Sequence, residues 1–194
     1  MSTTHVLWLK STSRATLAAV LLTGLLAVTQ SYAPEPAASA VAPPHCVDSQ
    51  LAVTGVEAPG GSLHAGMVIQ YRNVSAAACS LTGYSNDVGI NFKTGESRAA
   101  RRTVSGYLGG WMGYKDGTSK PLPFVVLRAR SGAASSMVEW ADGATAQQPG
   151  CSVLTTLWVN VPSGPRPFAI EQWMLVCGYF DATPIVPGFS GSAY

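Results

Sequence analysis

The sequence predicts an all-β fold, an antiparallel two-sheet sandwich stapled by disulfides. Three observations point there. Apolar residues alternate with period two, and helical periodicity over ten or more residues is hard to find. The apolar runs are short and punctuated by Gly, Pro and Ser, with 20 glycines and 13 prolines in 194 residues. The four cysteines fall into two pairs, each symmetric about a turn. The midpoint of Cys46 and Cys79 lies at about position 62, on Pro59-Gly60-Gly61-Ser62, and that of Cys151 and Cys177 at about 164, on Pro162-Ser163-Gly164-Pro165.

The chain opens with Lys10 and Arg14 ahead of a fourteen-residue apolar run, Ala15 to Val28, interrupted only by Thr16, Thr23 and Gly24. This is the pattern of a secretory signal. The run is shorter than the roughly 20 residues needed to span a bilayer, so no stable transmembrane helix is expected after processing. Ala38-Ser39-Ala40 supplies small residues for cleavage after Ala40. Residues 1–40 therefore read as a signal peptide. The Pro/Ala-rich stretch from Pro34 to Pro44 reads as an extended tether, of which 41–45 would remain, and 46–194 as a single domain. The expected location is secreted or at the cell envelope.

An exported chain with an even cysteine count reads as a disulfide framework, since disulfides persist outside the reducing cytosol. Four cysteines allow three connectivities. Residues equidistant from a tight turn end opposite each other on paired strands, which favours Cys46 with Cys79 and Cys151 with Cys177. No two cysteines have C-x-x-C spacing, so no metal site is expected from them.

Within that frame the strands follow in order. Gln50 to Glu57 and Leu63 to Asn73 form a first hairpin, with Met67, Ile69 and Tyr71 on one face and Gln70 and Arg72 on the other. Val88, Ile90 and Phe92 alternate with Gly89 and Asn91. Phe124 to Arg128 and Ser136 to Trp140 flank a Ser131-Gly132 turn, and Val153 to Val161 pairs with Phe168 to Cys177. So many short antiparallel strands favour two sheets that each hide one face against the other, with a closed barrel as the structural alternative.

Cys46, Asn73, Cys79-Ser80-Leu81-Thr82-Gly83-Tyr84, Leu127, Gly132 before Trp140, Cys151 and Cys177 together resemble a family of exported actinobacterial domains of unknown function. Its pattern is Cys, Asn, C-x-L-x-G-Y, a Gly turn, Cys, Cys, and the resemblance spans about residues 46 to 180. It implies an immunoglobulin-like sandwich at the cell envelope, without an assigned activity. Ser85 follows the Gly-Tyr where the family usually has proline, and the stretch from Lys93 to Pro121 is an elaboration.

Charge narrows the function classes. Lys10 and Arg14 are two of the twelve basic residues and Glu35 is one of the ten acidic ones, leaving ten against nine in the mature part. The large positive field of a nucleic-acid binder is missing. The mature part keeps two histidines, His45 and His64, too few for a zinc or copper site once the thiols are bridged. No G-x-S-x-G elbow occurs, and Gly106 to Trp111 lacks the Lys and helix start of a phosphate loop. His64 with Asp87 and a serine remains one way to build a hydrolase, and paired acids another. Glu139, between Val138 and Trp140, is expected on the solvent face of its strand.

No catalytic set, cofactor or metal is expected, and the reading is a non-catalytic binding or structural protein whose partner is an unknown envelope component or protein. The alternative is a secreted hydrolase of cell-wall carbohydrate or ester. The candidate surface is the glycine-rich segment Gly106 to Gly117, with Tyr107, Trp111, Met112 and Tyr114 as apolar anchors on a mobile loop. Arg98, Arg101 and Arg102 just before it form a positive patch for an anionic polymer or protein. The other reading of this segment is that its aromatics fold back and cover the edge of the sandwich, leaving the arginines as a solvated face.

Overall fold

The computed structural model describes residues 41–111, 121–143 and 150–193. One 3-10 turn, Asp48–Gln50, leads into strands β1 (Leu51–Gly61), β2 (His64–Asn73), β3 (Cys79–Thr82), β4 (Asn86–Asn91), β5 (Glu96–Ala99), β6 (Arg101–Arg102) and β7 (Gly110–Trp111). After them come β8 (Phe124–Leu127), β9 (Ala133–Ala141), β10 (Ser152–Asn160), β11 (Phe168–Val176), β12 (Phe180–Ala182), β13 (Val186–Pro187) and β14 (Ser192–Ala193). No α-helix is present among the described residues, and none of their helical segments is long and apolar enough to cross a membrane.

Two main sheets face each other. The larger runs β1-β2-β9-β12-β6, with β13 also paired to β9, and the smaller runs β11-β10-β4-β5. Ile69, Tyr71, Ala134 and Val138 from the larger sheet and Leu154, Leu157, Val159 and Met174 from the smaller share one core. The short pair β3·β8 adds Leu81, Val125 and Leu127 to it. The chain is thus an all-β, immunoglobulin-like sandwich of two antiparallel sheets. Two pairings depart from the antiparallel rule, β12 with β6 and β14 with β7. Both involve the elaborated stretch after Lys93, which returns along the large sheet rather than by a hairpin.

Both disulfides join the cysteines that the turn symmetry selects, Cys46 with Cys79 and Cys151 with Cys177. The second directly closes the β10–β11 hairpin, next to the Ser152–Val176 pair. The first lies beyond the open end of β1–β2, where Cys46 N donates to Ser80 O. The C-x-L-x-G-Y run is framework throughout. Cys79 is bridged, Leu81 is core, and Gly83 takes φ 88, a left-handed value that favours glycine. Asn73, 2 % exposed, ties the framework together: its side-chain amide donates to Ala77 O and Leu127 O, and its oxygen accepts from Ser75 N and Oγ.

Two local details differ from the sequence reading. The first hairpin turns at Ser62-Leu63, with φ 48 and 70, and Pro59 and Gly60 belong to the end of β1. On β4 the buried positions are Asp87, Gly89 and Asn91, while Phe92 is 63 % exposed and packs beside Trp158 on the outside. A side chain at 89 would collide with Leu154, so the strand presents its glycine inward and its β-branched residues outward. Asn91 is satisfied there by Val153 O, Lys93 N and Thr94 N.

Candidate functional site

Residues 104–111 form a held turn on the outer side of the large sheet. Ser105 pairs with Gly110, Gly106 N donates to Gly109 O, and Trp111 N donates to Val104 O. Glu139 fixes the tip: its two carboxylate oxygens accept from Tyr107 N and Leu108 N, both at 2.8 Å. Glu139 is 2 % exposed, so the solvent-facing placement expected for it is wrong. Strand alternation does turn it away from the core, but a second layer covers that face. The same carboxylate explains Gly106, where a Cβ would lie 1.9 Å from Glu139 Oε1.

The predicted anchors are therefore divided. Tyr107 is 64 % exposed and stacks on His64, with ring centroids 3.8 Å apart. Trp111 is half-buried and pairs with Ala193 of β14. Met112 and Tyr114 lie outside the described residues. Each of the three arginines has its own partner. Arg98 donates to Gly178 O, Arg101 forms a bidentate pair with Asp181, and Arg102 donates to Asn86 while lying 5.7 Å over the Tyr84 ring.

His64 connects this turn to a cleft that sequence reasoning missed. The cleft holds about 400 Å³ and opens at the end of the sandwich, between the β1–β2 hairpin, the end of β9 and β11. Its lining includes Glu57, His64, Trp140, Asp142, Gln172 and Trp173. Trp140 is a buried wall, whereas Trp173 is 62 % exposed. Gln172 Nε2 donates to Glu57 Oε1 at 3.3 Å and to Trp173 O at 3.1 Å.

Two β-bulges shape this recess. Between the pairs Ala58–Gly66 and Gly61–His64, two residues, Pro59 and Gly60, face Ala65 alone. Between Leu154–Met174 and Thr156–Glu171, Gln172 and Trp173 face Thr155 alone. Gly60 and Ala65 at the first shift and Gln172 and Trp173 at the second line the cleft. A bulge leaves residues unpaired and re-aims side chains, which is how consecutive Gln172 and Trp173 both reach one recess. The sequence signal for the first was Pro59-Gly60, a pair that regular strands avoid.

At the back of the cleft His64 Nδ1 meets the hydroxyl of Tyr179 in a short hydrogen bond. Partial burial, then the carboxylates of Glu139, Asp181 and Asp142, push the Tyr179 phenol up to about 12. The hydroxyl thus keeps its proton at neutral pH. Asp87, the other member of the hypothetical triad, is held by Ser85 Oγ at 2.7 Å inside the core. Burial pushes its carboxyl up to about 7. His64 and Asp87 thus belong to different hydrogen-bond groups. Among the described residues no group of three or more His, Cys, Asp or Glu side chains is placed to hold a metal ion.

The fold and the recess together define a disulfide-bridged β-sandwich with an aromatic cleft at one end. No protein-family model, curated protein or solved structure matches the chain.

Proposed function

We propose that this chain is an exported, non-catalytic binding module of the cell envelope, and that its ligand occupies the end cleft rather than the 106–114 segment. The observation that carries this reading is the coincidence of both β-bulges with one recess whose rim leaves Trp173 62 % exposed. Isolated two-versus-one register shifts are kept where they aim side chains, and exposed tryptophan beside hydrogen-bonding groups is the usual anchor of a binding site. Export is supported by the two disulfides, a chemistry of oxidising compartments, and by the basic and apolar pattern of residues 10 to 28. The C-x-L-x-G-Y framework, similar to that of exported actinobacterial domains, agrees with the same location.

Co-sedimentation with washed, insoluble cell-envelope material tests the proposal. The chain should pellet with the material, and Trp173→Ala should stay in the supernatant with an unchanged thermal midpoint. Equal pelleting of the two forms would remove the cleft from the reading. Glu57 and Asp142 in the same recess keep a carbohydrate hydrolase as the competing reading. Release of reducing ends from the envelope material, abolished in Glu57→Gln, would decide for it.

A further inference from the structure

The hydrogen-bonding character of the cleft narrows its ligand. Gln172 spends its amide hydrogens on Glu57 and on Trp173 O, so its carbonyl oxygen is the part left to meet a ligand. Glu57 and Asp142 add exposed carboxylates, and both are acceptors only. The imidazole Nδ1 is occupied by Tyr179. No lysine or arginine lies among the described lining residues. The recess therefore sets two carboxylates and the Gln172 carbonyl beside few donors, disfavours anions, and offers the exposed Trp173 as an apolar platform. A volume of about 400 Å³ falls at the small-molecule end of the range for binding pockets.

We propose that the cleft binds a neutral saccharide, with one sugar ring lying on Trp173 and its hydroxyls donating to Glu57, Gln172 and Asp142. This rests on the binding-module reading and specifies its ligand. A sugar ring has an apolar C–H face and an equatorial fringe of hydroxyl donors, which match the platform and the acceptors in turn. Uronic acids and phosphorylated sugars would set negative charge against Glu57 and Asp142. The arginines, which favoured an anionic polymer in the sequence, are engaged elsewhere and face none of this recess.

The test is an equilibrium titration of the purified chain, read by tryptophan emission, against an array of neutral oligosaccharides that includes cellobiose and chitobiose. Polygalacturonate and tetramethylammonium chloride are titrated in parallel. At least one neutral oligosaccharide should bind, Trp173→Ala should weaken it tenfold or more, and Trp173→Phe should retain it within about threefold because a ring face remains. Gln172→Ala should weaken it by about threefold through loss of one acceptor. Polygalacturonate should not compete. If only tetramethylammonium binds, with loss in Trp173→Ala, the cleft is a cation site, and the saccharide proposal fails while the binding reading stands. Competition by polygalacturonate at the same site would likewise overturn the neutral-ligand assignment. If no probe binds and the envelope material is not retained either, both fall together.

Discussion

Glu139 and Glu57 sit in the same sheet and are used in opposite ways. Glu139, on β9, lies under the 104–111 turn with two backbone amides on its carboxylate and almost no solvent contact. Glu57, on β1, is exposed at the cleft with one amide side chain beside it. Around the first, the backbone of Gly106, Tyr107 and Leu108 is taken up in holding a second layer to the sheet, while the Tyr107 ring stays exposed. Around the second, ordinary strand residues are pushed out of register and left open. In this fold the aromatic, glycine-rich turn is held to the sheet, while the register shifts border the cleft. Two backbone amides satisfy the buried Glu139, whereas the exposed Glu57 shares the cleft with the exposed Trp173.

Asp87 offers the sharpest way to extend that contrast, because it is as buried as Glu139 but has a single hydroxyl in place of two amides, and its Oδ1 has no partner among the described residues. Its carboxyl is raised from 3.8 to about 7 by burial, and the Tyr71 phenol close by is raised too, by burial first and by Asp87 second. Between these two pH values the folded chain holds a proton that the unfolded chain has released, so stability falls as the pH rises. The contribution is full below about pH 4 and is lost through about pH 7, an effect on the order of 4 kcal/mol. Asp87→Asn should flatten that slope and raise the midpoint of urea unfolding at pH 8. A slope unchanged by the substitution would show that Asp87 ionises freely in the fold.

Removing the carboxylate that has its amides should do the reverse. Glu139→Ala strands the amides of Tyr107 and Leu108 and should cost about 3 kcal/mol at neutral pH, measured by chemical denaturation. If the cost is below about 0.5 kcal/mol, the 104–111 turn is not held by Glu139 and the comparison breaks.

The cleft should respond more weakly. Leu63 holds φ 70 at the tight turn on its rim, a left-handed conformation costly for a large side chain, though its side chain lies over Gly143. Leu63→Gly should therefore stabilise the chain by less than about 1 kcal/mol, read as a small rise in Tm. Smallest of all, Trp173→Ala should change stability by under about 0.5 kcal/mol, since exposed surface substitutions rarely do more. A large loss there would make Trp173 a packing residue and remove the contrast with Glu139.

The sandwich was legible because its two strongest determinants are local in sequence. Cysteines equidistant from a Gly/Pro turn meet across a hairpin, and period-two alternation names the inner face of β2 correctly at Met67, Ile69 and Tyr71. The inversion of β4 was not legible, because it depends on Leu154 of another strand needing the space that Gly89 leaves. Glu139 was read as exposed for a similar reason: alternation tells which face a residue takes, never what later covers that face. The cleft draws on three separate stretches of chain, and its bulges exist only as a mismatch between paired strands. Tyr107 and His64 were each visible in the sequence, but their stacking needed the fold.

The junction at Asn73 has a consequence for how the protein is produced. Asn73-Val74-Ser75 has the form of an acceptor for N-linked glycans, which are added to chains before they fold. A sugar on that nitrogen would replace one of the two hydrogens that Asn73 gives to Ala77 O and Leu127 O, and would have to fit where the residue is 2 % exposed. In a glycosylating expression host, any chain modified there would fail to close around the corner. Material from such a host should contain the folded form only as its unmodified fraction, and Asn73 makes the choice of host a structural matter.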